Sequence, residues 1–144
     1  LFRSDLLREL QRRLGMSMLL ITHNLGIVGD IADWVAVMYA GQILEWAPAR
    51  ELLQRNSQET AIPSITRPAH PYTQALMHAV PELGRPRERL TAIPGNVPAL
   101  GAFPTGCRFH PRCPKARSDC SRHLPDLLEI APGHLVRCPY WNVP

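Results

Sequence analysis

Four cysteines, Cys107, Cys113, Cys120 and Cys138, fall within 32 residues and are separated by five, six and seventeen others. The chain shows no signal peptide, no lipidation motif and no apolar stretch approaching a membrane span, so it reads as cytosolic and its thiols as reduced groups or metal ligands rather than disulfides. A Cys₄ set holds tetrahedral zinc or an iron–sulfur cluster. Zinc knuckles take a C-x₂₋₄-C pair in one tight turn, which neither interval provides, and wider spacing suits a larger object. Arg108, Arg112, Lys115, Arg117 and Arg122 lie between Cys107 and His123 against one acid, Asp119. These cations would lower the thiol pKa values and offset the charge of about −2 on a [4Fe–4S] core with four thiolates; a merely solvated basic surface explains them equally well. His110, His123 and His134 are near enough to substitute as ligands, although surface roles are favoured for them. Pro111, Pro114, Pro125, Pro132 and Pro139 stiffen loops whose order would come chiefly from a ligand.

A second candidate is His23. Met18-Leu19-Leu20-Ile21 is an unbroken apolar run, suited to a strand covered on both faces as in a parallel α/β sheet. Thr22 and His23 follow directly, where the strand should end, and open α/β sheets bind ligands outside the carboxyl ends of their strands. A histidine there touches a ligand or is a satisfied structural residue; position alone leaves both open.

The elements that must carry these residues can be read in order. Leu6, Leu7, Leu10 and Leu14 form one stripe of a helix with Ser4 as N-cap and Gly15 as C′. After the central strand, Leu25, Val28 and Ile31 repeat at helical spacing, and Val35–Tyr39 and Gln42–Trp46 flank an Ala40-Gly41 turn as a hairpin. A short helix follows from about Pro48 to Gln54, then an exposed loop over Asn56–Arg67. A helix starts at His70-Pro71-Tyr72 and ends at Pro81, with Tyr72, Leu76 and Ala79 on one side. Gly84–Arg89 is a solvated linker, and Ile93–Pro98 a turn leading to the cysteines. Of 144 residues 45% are hydrophobic, enough for a core, while none of the 15 prolines precedes Pro48. The division is therefore 1–55 as regular α/β structure, 56–105 as insertion loop, helix and linker, and 106–144 as a Cys-rich extension. Net charge of +4 permits nucleic-acid contact without arguing for it, and Phe103, Phe109, Tyr140 and Trp141 do not interleave with the basic residues as a stacking platform would.

One physical difficulty stands out. A parallel strand at Met18–Ile21 needs a neighbour, and nothing before the first helix supplies one. Each large apolar side chain left uncovered forfeits roughly 1.5–3 kcal/mol, so four are comparable with a domain's whole margin of about 5–15 kcal/mol. The chain is expected to be marginal, sticky or dependent on a partner along that edge.

Leu20–Val28, Ile31-Ala32-Asp33, Val35–Gly41 and His70–Leu76 together resemble the C-terminal half of an ATP-binding subunit of a bacterial ABC-type oligopeptide/dipeptide importer. Ile93-Pro94-Gly95 and Gly106–Pro114 resemble the extension peculiar to those ATPases, and the similarity runs from Asp5 onward. The resemblance implies the C-terminal part of a P-loop nucleotide-binding domain followed by an irregular Cys-rich extension. It implies that His23 is the switch histidine sensing the γ-phosphate of ATP, and that Cys107, Cys113, Cys120 and Cys138 ligate a [4Fe–4S] cluster, zinc being the alternative. The implied partners are the missing N-terminal half or a second ATP-binding subunit, membrane permease subunits and a peptide-binding protein of the same system, with no nucleic acid. The implied place is cytoplasmic, peripheral on the inner face of the cell membrane.

The sequence departs from that pattern in several ways. There is no G-x-x-x-x-G-K-[ST], no ABC signature and no acidic residue ending a preceding strand, so ATP and Mg²⁺ would need the missing half and the chain alone should not hydrolyse ATP. Asn24 stands where the family usually has Asp, and Asn56–Arg67 looks like an insertion. The other readings are a free-standing iron–sulfur or zinc module without ATPase function and, less well supported, a nucleic-acid-binding zinc module.

Overall fold

The computed structural model describes residues 2–53, 68–79 and 93–143; the loop expected over 56–67 and the linker over 84–89 lie outside them. Helix α1 spans Phe2–Leu14, so Ser4 sits inside it rather than capping it. Glu9 ties Arg13 and Arg12 on its exposed side at 2.6 and 3.1 Å, pairs that contribute only tenths of a kcal/mol. Gly15, at φ +60°, ends the helix in the left-handed region as expected.

The strand expected at Met18–Ile21 is not formed. These residues belong to no ladder, and Leu19 and Ile21 are 89% and 90% exposed. The apolar run is there, but a strand exists only through the backbone groups of its neighbour, and among the described residues none lies alongside. Helix α2, Leu25–Ile31, follows, as its apolar spacing required.

Strands β1 (Trp34–Tyr39) and β2 (Gln42–Pro48) form the expected antiparallel hairpin. Ala40 and Gly41 both take positive φ, +48° and +79°, the backbone that a two-residue primed turn demands. Alternation in β1 sends Val35, Val37 and Tyr39 inward. Helix α3, Ala49–Leu53, and helix α4, Pro71–Ala79, cover that face. Ala47, Ala49 and Leu52 pack with Val35 and Val37, and Tyr72 and Leu76 of α4 close over them.

Residues 106–144 are not a purely irregular appendage. A second hairpin, β3 (Leu128–Ala131) and β4 (His134–Val136), turns at Gly133 and pairs antiparallel with β2, with Glu45 opposite Val136 and Trp46 opposite Leu135. The sheet order is β1-β2-β4-β3 and every pair is antiparallel, correcting the expectation of a parallel sheet for the described residues. Strands this short carry too little alternation to stand out in the sequence; what holds them is the already formed β2.

Candidate metal site and its surroundings

The cysteine loops pack on the sheet through one fully buried side chain. Phe109 meets Tyr39 edge-on at 5.3 Å and Tyr72 at 5.2 Å, and those two tyrosines lie 4.8 Å apart. Leu44 and Cys107 complete this second cluster, against which Ile93, Cys113 and Cys120 pack. The loops before and after Phe109 are thus pinned to the hairpin by apolar burial and aromatic contact.

Gly106 sets the start of the cysteine region. It takes φ +70°, and a Cβ there would lie 2.3 Å from the Cys120 carbonyl oxygen, so only glycine lets the two backbones meet. Their meeting is a hydrogen bond from the Cys107 N–H to the Cys120 carbonyl at 2.8 Å. A turn of 3₁₀ helix, His110–Arg112, then carries the chain to Cys113.

All four cysteines line a single cavity, together with His70 and Phe109, and all four are free thiols. The sequence-predicted set is therefore brought together from loops and from the residue that follows β4 and Arg137. The Arg117 N–H reaches Cys120 Sγ at 3.4 Å, and nearby main-chain N–H groups, of Phe109 and His110 for Cys107, of Lys115 for Cys113 and of Tyr140 for Cys138, favour the charged thiolate. Donors aimed at sulfur favour its charged form. Burial nevertheless dominates and pushes the Cys107 and Cys113 thiols up and that of Cys138 up to about 11, with the neighbouring cysteines adding to the rise. Among the described residues no three His, Cys, Asp or Glu converge closely enough to hold one metal ion. Four thiols lining one cavity are the donor type of a thiolate-ligated centre.

The basic residues do more than their charge suggested: Lys115 favours the Cys113 thiolate and Arg137 that of Cys107, and several also hold loops. Arg108 donates to the Ala40 carbonyl at the hairpin turn and stacks on Phe103, 4.0 Å from the ring centroid. Arg112 reaches the Ile93 and Pro94 carbonyls at 2.9 and 2.7 Å and the Tyr39 hydroxyl at 3.3 Å. Lys115 donates to the Val143 carbonyl, and Arg137 to those of Ile43 and Pro125, all at 2.8 Å. These cations are struts that satisfy loop carbonyls, because proline-rich loops have few ladder partners to do so.

Sequence reasoning missed the buried carboxylate of Glu45. It is fully buried on the inward face of β2 and accepts from the Ala69 N–H at 2.7 Å, the His70 N–H at 3.0 Å and His134 Nε2 at 2.8 Å. His134, assigned above to the surface, is 0% exposed, and its Nδ1 is buried with no partner. The available signal was an acid at an inward position of a strand whose neighbours are apolar. His123 is exposed, as expected; His110 is half-buried and hydrogen-bonds the Cys107 carbonyl through Nδ1 at 2.8 Å.

His23 lies far along the chain from this region and is exposed. The Thr22 hydroxyl accepts the Asn24 N–H at 3.0 Å, making His23 the tip of a side-chain-closed turn. Asn24 Oδ1 in turn accepts the N–H groups of Gly26 and Ile27 at 3.1 and 3.4 Å, capping α2. An aspartate would cap in the same way, so the change to Asn removes charge without removing the cap. The structure does not bring His23 and the cysteines into one site.

Sheet, helices and cysteine cavity define a mixed helix-and-strand domain with a candidate metal-binding region. Comparison with known proteins is more particular. Residues 59–120 match the family described as the oligopeptide/dipeptide transporter, C-terminal region. The chain is 41% identical over 144 residues to a peptide import ATP-binding protein of Brucella ovis, covering 96% of this chain and 39% of the relative. It is 40% identical over 134 residues to the oligopeptide transport ATP-binding protein AppD of Bacillus subtilis, covering 93% and 37%. To the dipeptide transport ATP-binding protein DppD of Escherichia coli it is 40% identical over 136 residues, covering 94% and 38%. Over 93–96% of its residues the chain is similar to these peptide-import ATP-binding proteins, and it spans about two fifths of the length of the curated relatives it matches. No helix among the described residues is long and apolar enough to cross a membrane.

Proposed function

We propose that this chain is the C-terminal part of the ATP-binding subunit of an ABC-type oligopeptide/dipeptide import system, and that Cys107, Cys113, Cys120 and Cys138 hold a [4Fe–4S] cluster. The observation that carries the metal assignment is the convergence of all four cysteines on one cavity. A cationic centre overcomes the burial that favours the protonated thiols of Cys107, Cys113 and Cys138, so metal uptake releases protons. Bound there, the cluster supplies four strong cross-links to loops that have little core of their own and, where it is reducible, a store for one electron.

His23 is proposed as the switch histidine toward the γ-phosphate of ATP. Its support is positional: the fold does not use the side chain, and Thr22 and Asn24 fix the turn that presents it. Phosphate cradle, Mg²⁺ ligand and general base would come from the remainder of the protein, which would also cover Leu19 and Ile21. Membrane permeases and a peptide-binding protein are the partners this reading assigns, with the subunit peripheral on the cytoplasmic face.

The deciding experiment is the iron, acid-labile sulfide and zinc content of the chain purified without oxygen. About four irons and four sulfides per chain are expected, with Cys120→Ser losing the metal and the order after Gly106 while the α1–α2 region is unchanged. Zinc alone, or full metal in Cys120→Ser, overturns the cluster assignment. For His23, nucleotide binding restored by adding the N-terminal half in trans is the expected result, and no binding with that half present rejects it.

A further inference from the structure

His70 is a polar residue in the wall of the cysteine cavity whose geometry points to a function beyond packing. It is 1% exposed and stands immediately before α4, with Pro71 at the first helical position. Its carbonyl accepts the Gln74 N–H at 3.0 Å and its ring Nδ1 accepts the Tyr72 N–H at 3.0 Å, the pattern of a helix N-cap made by an imidazole. A backbone N–H can only donate, so Nδ1 must present its lone pair and the ring proton sits on Nε2. The main chain cannot drift, because the His70 N–H is held by buried Glu45 Oε2, and the ring packs against Phe109 with centroids 6.0 Å apart. Other polar side chains of the same wall are committed to carbonyls: Lys115 to Val143, Arg137 to Ile43 and Pro125, and His110 Nδ1 to that of Cys107.

We propose that His70 is a positioning residue of the cysteine site, donating its Nε2–H to a sulfur of the group held there. The inference rests on the iron–sulfur reading above. Hydrogen bonds to the sulfurs are one of the levers that set a cluster's potential, since they stabilise the more negative, reduced state. The helix cap makes this donor directional: one nitrogen is consumed by α4, and the other is left with a fixed proton.

The two nitrogens can be separated by substitution. His70→Asn keeps an oxygen where Nδ1 caps α4 and removes the donor at Nε2, whereas His70→Gln extends an amide N–H₂ toward the Nε2 position. Each chain is reconstituted anaerobically with ferrous iron and sulfide, and iron content, absorption spectrum and reduction potential are measured. The expected result is wild-type iron content in both variants, a potential lowered in His70→Asn, and a potential returned toward wild type in His70→Gln. A loaded His70→Asn chain with unchanged potential and spectrum overturns the role of His70 while leaving the cluster standing. A wild-type chain that takes up no iron and sulfide overturns the cluster reading and this inference with it.

Discussion

The segment from α1 through Asn24 and the sheet with its cysteine loops are made of comparable material but held very differently. In the first, Leu6, Leu14, Leu19 and Ile21 are 60%, 67%, 89% and 90% exposed, and the apolar run between helices has no ladder partner among the described residues. In the second, irregular loops with few apolar residues are fixed by Phe109, by guanidinium groups on carbonyls and by Glu45 gathering three donors from α4's approach and β4. Apolar content therefore does not make a region self-sufficient. What does is a partner for each backbone group, supplied by a neighbouring strand or, failing that, by a side chain.

The largest expected effect tests that contrast at its centre. Glu45→Ala leaves the Ala69 and His70 N–H groups and His134 Nε2 without their acceptor; at about 1–3 kcal/mol per buried unpaired group the loss should reach about 4 kcal/mol. Urea unfolding checks it, and hydrogen exchange should show β4 opening first. A loss below about 1 kcal/mol would mean that the hub is replaceable by water.

Acid should act on the same region next. Burial holds His70 down to about 4 from the ordinary 6.5, against an opposing pull from Glu45. The folded state thus prefers the neutral ring while the unfolded chain takes up its proton near pH 6.5. Stability from this group is whole above about pH 6.5, declines as pH falls toward 4 and is level below, a total of about 3 kcal/mol. Denaturation midpoints measured across that window should slope downward in wild type and flatten in His70→Asn.

Gly106→Ala is smaller but local. Positive φ and the close Cys120 carbonyl together should lower stability by about 2 kcal/mol and reduce metal content. Thermal melts and iron analysis read both.

Leu19→Ser should do least to the isolated chain, within about 0.5 kcal/mol, since an exposed side chain has little burial to lose. It sharpens the comparison, because the same substitution should weaken association with the N-terminal half if that half covers this apolar run. Loss of stability in the isolated chain would show instead that Leu19 is already buried in solution.

Much of the architecture was legible because its signals are local. Gly15, the Ala40-Gly41 turn, the inward Val35, Val37 and Tyr39, and the helix opening at His70-Pro71 each state a φ value, a period or a cap within a few residues. The grouping of the four cysteines was legible too, through spacing and residue type. Met18–Ile21 was misread for a physical reason: a period describes one chain, and a strand is a property of two.

The sequence by itself determined the candidates for chemistry, the thiols and His23, and the similarity to peptide-import ATP-binding proteins. Only the tertiary structure decided that β4 joins β2, that arginines tie down loop carbonyls, and that Glu45, His70 and His134 meet in the interior. Residues 45 and 134 are brought within 2.8 Å across 89 positions of chain. Such contacts follow from burial and backbone pairing across the whole fold, and no pattern within a window of sequence encodes them.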